Sequence, residues 1–306
     1  RFTINLPNFD TSNVHNMSHL FEDCISLANL NIPLFKTNNV IDMSAMFLDC
    51  SKLEKIDTSN FETSNAKNMS QMFEGCLFLT SLDVSHFNTE QVESLSNMFK
   101  YNYYLTSLQL SSFNTKNVKD MSSMFQFCIN INQIDITSFD TSKVINSVNM
   151  FNGCNSLTTL KIKDFKSENI AHLLDGCQNL EVFDFTNVIT DNVKNMSGLF
   201  KDCQKLTSID LSKINTVQVK DMSSMFFGCS SLTEINLEKF DTKNVEDMAL
   251  MFKGCSLLTS LNVNNFETKE VTDMYGMFQE CSQLKELNLL NFDTTKVTDM
   301  AHMFES

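Results

Sequence analysis

The chain has 306 residues, a formal charge of −14 and a sequence pI near 4.7, with 23 Lys plus Arg against 37 Asp plus Glu. This acidic balance argues against nucleic acid or an anionic membrane surface as the natural partner, because phosphate binding needs a basic stripe. No apolar run approaches the roughly eighteen residues of a membrane span, so no membrane insertion by this fragment is expected, and seven Gly and two Pro leave no linker to divide it.

The first full unit, Phe9 to Phe35, reads FDTSNVHNMSHLFEDCISLANLNIPLF, and nearly every later residue repeats it or departs from it. Cys24, Cys50, Cys76, Cys128, Cys154, Cys177, Cys203, Cys229, Cys255 and Cys281 are spaced by 26 residues or a multiple of 26, except for the 23-residue step from Cys154 to Cys177. One period running from end to end predicts a single solenoid array of about twelve repeats over 1–306. Arg1 sits at the register of Leu27, and Ser306 stops one residue before the next expected Cys. The array is therefore expected to be truncated inside a repeat at both ends, with any signal or anchor outside this fragment.

Within a unit, an acidic or amide residue and a Thr, as at Asp140-Thr141 and Asp241-Thr242, turn a corner where the hydroxyls can bond nearby backbone or one another up the stack. Val14 to Met17 is short enough to be a second short strand or a helical turn; we read it as a strand. From Ser18, which is placed to cap, the spacing of Phe21 and Cys24 predicts a helix of one to two turns. Leu27, Leu30, Ile32 and Phe35 then form LxxLxLxxF, the pattern of a half-buried strand. The fold class expected is a repeat solenoid, a parallel β ladder of about 4.8 Å per unit with one or two short strands and a short helix per repeat. Met46, Phe47, Met72, Phe73, Met225 and Phe226 fall on an inward column and are read as core.

Positions between the buried strand residues are free to vary. Their central slot carries Asn31, Asp57, Asp83, Gln109, Asp135, Lys161, Asp184, Asp210, Asn236, Asn262 and Asn288, and a far more varied flanking slot runs Asn29, Lys55, Ser81, Ser107, Gln133, Thr159, Val182, Ser208, Glu234, Ser260 and Glu286. Asp57, Asp83, Asp135, Asp184 and Asp210 are candidate binding residues for a basic or hydroxyl-rich partner; the plain alternative is a solvated face with hydrogen bonds between rungs. Two units break the pattern, and breaks are where an array can acquire a site. Asn102 replaces the fourth Cys amid Tyr101, Tyr103 and Tyr104, which are either interface anchors or rings that patch over the missing Cys. The second break is the unit from Phe165 to Cys177, read as shortened by three residues between Ile170 and Gly176.

The Cys spacing lacks the close pairs of a zinc site, and Asn102 splits the column into odd runs that would strand a thiol under nearest-neighbour pairing. A buried ladder of free thiols is favoured over disulfides or a metal. His15, His19, His86, His172 and His302 are read as surface side chains, and His15 and His19, four apart, lack a matched carboxylate for a metal site. There is no Gly-rich phosphate loop and no Gly-x-Ser-x-Gly elbow. No catalytic, cofactor-binding or metal-binding residue is assigned, and the chain is expected not to be an enzyme.

The string FDTxxVxxMSxMFxxCxxLxxLxL resembles the repeat of BspA-like leucine-rich repeat surface proteins, in particular the mycoplasma lipoprotein branch, over essentially the whole chain; Asn102, Ser147 and the 23-residue step depart from it. The resemblance implies a leucine-rich-repeat-like solenoid on the cell surface, used for adhesion to a protein or glycan ligand of a host or another microbe. Rival readings are a structural stalk or filament that self-associates, and an intracellular scaffold or effector.

Overall fold

The computed structural model describes residues 2–306. They form two compact units, one reaching to Asn146 and including Gly153–Lys163, the other comprising Ser147–Asn152 and Asp164–Ser306. Each is a stack of leucine-rich-repeat-like coils with short parallel strands.

In the first unit β1 (Phe2–Asn5) pairs with β2 (Leu27–Asn31), setting Ile4 against Leu30 and Asn5 against Asn31. Strands β3 (Gln133–Asp135) and β4 (Thr159–Lys161) pair likewise, with Ile134 against Leu160. In the second unit β5 (Phe165–Lys166) pairs with β7 (Val188–Ile189), and β6 (Val182–Phe183) with β8 (Ser208–Ile209). The expected strand is thus present and parallel, but as four two-stranded sheets and not as an unbroken ladder. The second short strand, placed at Val14 to Met17, appears as single-residue parallel bridges: Asn16, Asp42, Asn68, Ser94, Asp120 and Asn146 in the first unit, and Asn195, Asp221, Asp247, Asp273 and Asp299 in the second.

The helix expected after Ser18 is not there; among the described residues the one helical element is a 3-10 turn at Phe185–Asn187. Consecutive turns replace it, closed by Leu20 N to Met17 O, Glu22 N to His19 O and Cys24 N to Phe21 O. Every second N–H instead donates to the next rung, as Met17 to Asp42, His19 to Ser44, Phe21 to Met46 and Asp23 to Leu48. Two residues in this stretch are left-handed, His19 at φ 59° and Asp23 at φ 56°, and the same two positions are left-handed in most repeats. Ser18 does not cap: its N–H and hydroxyl both donate to Asn16 Oδ1, an Asx turn. The pattern of apolar residues three apart suits either geometry. The turns prevail because they let backbone donors tie rung to rung, which a helix, using its own carbonyls, cannot do.

The core follows the expected columns. Phe21, Phe47, Phe73, Phe99 and Phe125 stack at 5.4 to 6.2 Å with interplanar angles of 1 to 17°, and Phe200, Phe226, Phe252 and Phe278 stack at 5.6 to 5.8 Å in the second unit. This step is wider than the roughly 4.8 Å of a β ladder. Met46, Met72, Met225 and the repeat leucines beside them are fully buried. The Thr column is buried too, and its hydroxyls bond the next rung's backbone and not one another: Thr63 Oγ1 donates to Asn88 O and accepts from Asn88 N, and Thr242 does the same with Glu267.

The three-residue deletion lies elsewhere than expected. Ser147 Oγ donates to Asn169 O, 22 residues on, and Ser167 occupies the Thr register while Ile170 already occupies that of Met. The missing residues are those of the Thr-to-Val corner, between Ser167 and Ile170. The segment from Ile170 to Gly176 keeps full register, because Cys177 Sγ still reaches a Phe carbonyl, Phe151 O, at 3.3 Å.

Candidate recognition surfaces

The five aspartates of the central slot are first of all turn formers. Each Oδ1 accepts the N–H two residues on: Asp57 from Ser59 at 3.0 Å, Asp83 from Ser85 at 2.9 Å, Asp135 from Thr137 at 3.0 Å, Asp184 from Thr186 at 3.0 Å and Asp210 from Ser212 at 2.9 Å. Hydroxyls of Ser85, Thr137 and Thr186 add a second bond. Bonds from the side chain and backbone of the Ser or Thr two residues on hold the carboxyls of Asp57, Asp83, Asp135 and Asp210 below their usual range. Amides do the same work at Asn236, Asn262 and Asn288, which is why Asp and Asn exchange freely along this slot. Rung-to-rung contacts also occur, with Asn31 Nδ2 donating to Asn5 Oδ1 at 2.7 Å and Lys161 Nζ lying 3.7 Å from Asp135 Oδ2.

The five do not converge on one site. Asp57, Asp83 and Asp135 belong to the first unit, Asp184 and Asp210 to the second. What the second unit does build is an open groove of about 790 Å³, lined by Glu234, Ser260 and Glu286 of one slot, Asn236, Asn262 and Asn288 of the other, and by Ile235, Leu237 and Leu261. None of the five aspartates lines it. The signal for it was in the flanking slot, where Glu and Ser alternate from Ser208 to Glu286.

The tyrosines do come together. Tyr101 and Tyr103 meet edge to face at 6.1 Å, Tyr101 stacks on Phe127 at 5.4 Å and 4°, and Tyr104 stacks on Phe78 at 5.2 Å. Phe78 and Tyr104 are 47% and 50% exposed. Phe78 and Phe127 were missed in sequence because their ring partners, Tyr104 and Tyr101, lie 26 residues away and are brought beside them only by stacking. The rings do not fill the place of the absent Cys: Asn102 does, donating from Nδ2 to Phe73 O at 2.9 Å, the bond that Cys76 Sγ makes to Phe47 O at 3.3 Å. Tyr101 and Phe127 hold left-handed backbones at φ 62° and 58°, where neighbouring repeats use Gly75 and Gly153.

The buried thiols and three of the histidines have partners within the chain. Thiols along the column donate to carbonyls of the preceding coil, as Cys50 to Phe21 O and Cys154 to Phe125 O, both at 3.1 Å. Burial pushes Cys50 and Cys154 up to about 12, so neither offers a thiolate at neutral pH. Three of the surface histidines pair with acids three residues on, His19 with Glu22 and His302 with Glu305 at 2.7 Å, and His172 with Asp175 at 3.0 Å; the periodic turns bring them within reach. Among the described residues no group of three or more His, Cys, Asp or Glu could hold a metal ion, and no helix is long and apolar enough to cross a membrane.

The family model described as "Mycoplasma protein of unknown function, DUF285" matches residues 1–101, 77–189, 168–262 and 233–306. The chain belongs to this family. Solved structures similar to this DUF285 chain include a leucine-rich repeat protein from Bacteroides ovatus, 19% identical at a TM-score of 0.49, covering 80% of this chain and 63% of that one. A leucine-rich cell surface protein from Faecalibacterium prausnitzii is 20% identical at a TM-score of 0.47, with coverage of 88% and 74%. A leucine-rich repeat protein from Eubacterium ventriosum is 17% identical at 0.44, with 80% and 63%. The chain therefore spans under two thirds of the first of these, and at such similarity no residue or activity is carried across. No match is found among curated proteins.

Proposed function

We propose that the chain is a non-enzymatic, cell-surface recognition module that adheres to a protein or glycan of a host or of another microbe. The observation that carries this reading is the groove lined by Glu234, Ser260, Glu286 and the Asn236, Asn262, Asn288 row, formed by side chains that the core does not need. A repeat scaffold can vary such positions without loss of stability, which suits a binding face. The thiols of Cys50 and Cys154, held protonated by burial, and the leucine-rich-repeat-like coils support a role in binding. The test is capture of extracellular proteins and glycans on a solid phase by the chain and by its Glu234→Gln/Glu286→Gln/Asn262→Ala variant. Capture weakened about tenfold or more, as loss of one or two good contacts would cause, with unfolding unchanged, is the expected result. Capture indifferent to these changes would remove the groove, and ordered self-association in place of capture would favour a stalk or filament.

A further inference from the structure

The rings of Tyr101, Tyr103, Tyr104, Phe78 and Phe127 lie next to a run of acids on the turn side of the first unit. Backbone bonds from Asp23 to Leu48, Asp49 to Glu74, Gly75 to Lys100 and Tyr101 to Gln126 place Asp23, Asp49, Gly75, Tyr101 and Phe127 in one column, coil upon coil. Glu22 and Glu74 flank it closely enough that, after burial, the charges of Asp23, Glu74 and Glu22 in turn push the Asp49 carboxyl above its usual range. The cations at hand are few: His19 is tied to Glu22, Lys100 to Glu74 at 3.3 Å, and Lys52 lies in the coil before Phe78.

The turn side already shows what its rings accept. Lys100 Nζ sits 4.8 Å from the centroid of Tyr101, and in the second unit Lys201 and Lys253 both lie over Phe227, at 5.7 and 5.6 Å. Aromatic faces here take cations, and exposed rings beside carboxylates take the planar guanidinium better than an ammonium, since it can stack and pair with an acid at once.

We propose that this acidic and aromatic face docks an arginine-rich segment of a partner protein. The proposal rests on the reading of the chain as a recognition module but concerns a face other than the groove. Guanidinium groups insert beside Tyr103 and the Phe78–Tyr104 stack, while Asp23 and Asp49 supply the countercharge. Three of the four Tyr of this Trp-free chain are in the face, so its fluorescence reports occupancy directly.

The experiment titrates the chain with octa-arginine, octa-lysine and octa-glutamate peptides and follows tyrosine emission. The expected result is binding of octa-arginine, weaker binding of octa-lysine and none of octa-glutamate, with affinity for octa-arginine falling about tenfold in Phe78→Ser/Tyr103→Ser/Tyr104→Ser, which leaves every charge in place. Tyr101→Gly, compatible with its φ, weakens binding without risk to the coil. Failure of the chain to bind octa-arginine, or equal affinity in both variants and the parent, overturns the proposal. If macromolecular capture through the groove persists in that case, only this inference falls.

Discussion

Asn102 shows how a repeat protein absorbs a substitution in its own column. Its Nδ2 reproduces the thiol's bond to the preceding coil and adds a second to Phe99 O at 2.7 Å, yet its Oδ1 is buried without a partner. An orphaned buried acceptor costs about 1 to 3 kcal/mol, more than a second bond at the same nitrogen returns. Asn102→Cys is therefore expected to raise stability by about 1 kcal/mol or more, measured by urea unfolding; a lower midpoint would show that the amide's two donor bonds outweigh its orphan. Residue identity was legible here only as a break in the Cys pattern. Which atom was satisfied and which was not depended on the carbonyls of Phe73 and Phe99, both brought in by the stack.

At the level of the repeat element, stability resides in side-chain columns more than in strands. Among the described residues the sheets are only two-stranded, whereas the Phe stacks run through coil after coil with rings nearly parallel. Phe226, fully buried between Phe200 and Phe252, is the central test. Phe226→Ala should cost about 3 to 5 kcal/mol, read by thermal or denaturant unfolding, because rigid coils on both sides cannot collapse into the cavity. An unchanged melting temperature would contradict a core built on this column. The turn segment holding the ring was misread as a helix since Phe21 and Cys24 are three apart in both geometries. The left-handed backbone at His19 and Asp23 was signalled by the Gly and Asn that stand at the same registers in other repeats, such as Asn97, Gly153 and Gly228.

For the whole molecule, the charge of −14 is distributed by the period. Exposed aspartates at turn exits have their carboxyls held low by local bonds, as at Asp83 and Asp293, and contribute stability that is lost as pH falls. Asp247 is opposite in sign. Burial, then the charges of Asp221 and Asp273 on adjoining rungs, raise it above its ordinary 3.8 despite a lowering bond from Ala249 N–H. Its folded pKa thus exceeds the unfolded value, so ionised Asp247 opposes folding: stability falls as pH rises through that window and is regained below it. Asn occupies the same register at Asn16, Asn68 and Asn195 and keeps the acceptor. Asp247→Asn should stabilise the protein by about 0.5 to 1 kcal/mol at neutral pH, with the gain vanishing once both forms are uncharged in acid; a gain independent of pH would refute the charge argument.

The amino-acid sequence by itself determined the repeat, its inward Phe, Met, Leu and Cys columns, the two breaks and the family, because a 26-residue period is a statement about which positions must be equivalent and therefore packed alike. It also marked Tyr101, Tyr103 and Tyr104, and a varied flanking slot from Asn29 to Glu286. Only the tertiary structure decided how those positions are used. It turned the five slot aspartates into turn formers, replaced the helix with turns whose N–H groups bond the next coil, and set Phe78 and Phe127 beside tyrosines a full repeat away. The aspartate turns close on residues two positions on, but the inter-coil N–H bonds and the ring pairs join residues 25 to 26 apart, and contacts at that separation are created by stacking, which no local pattern encodes.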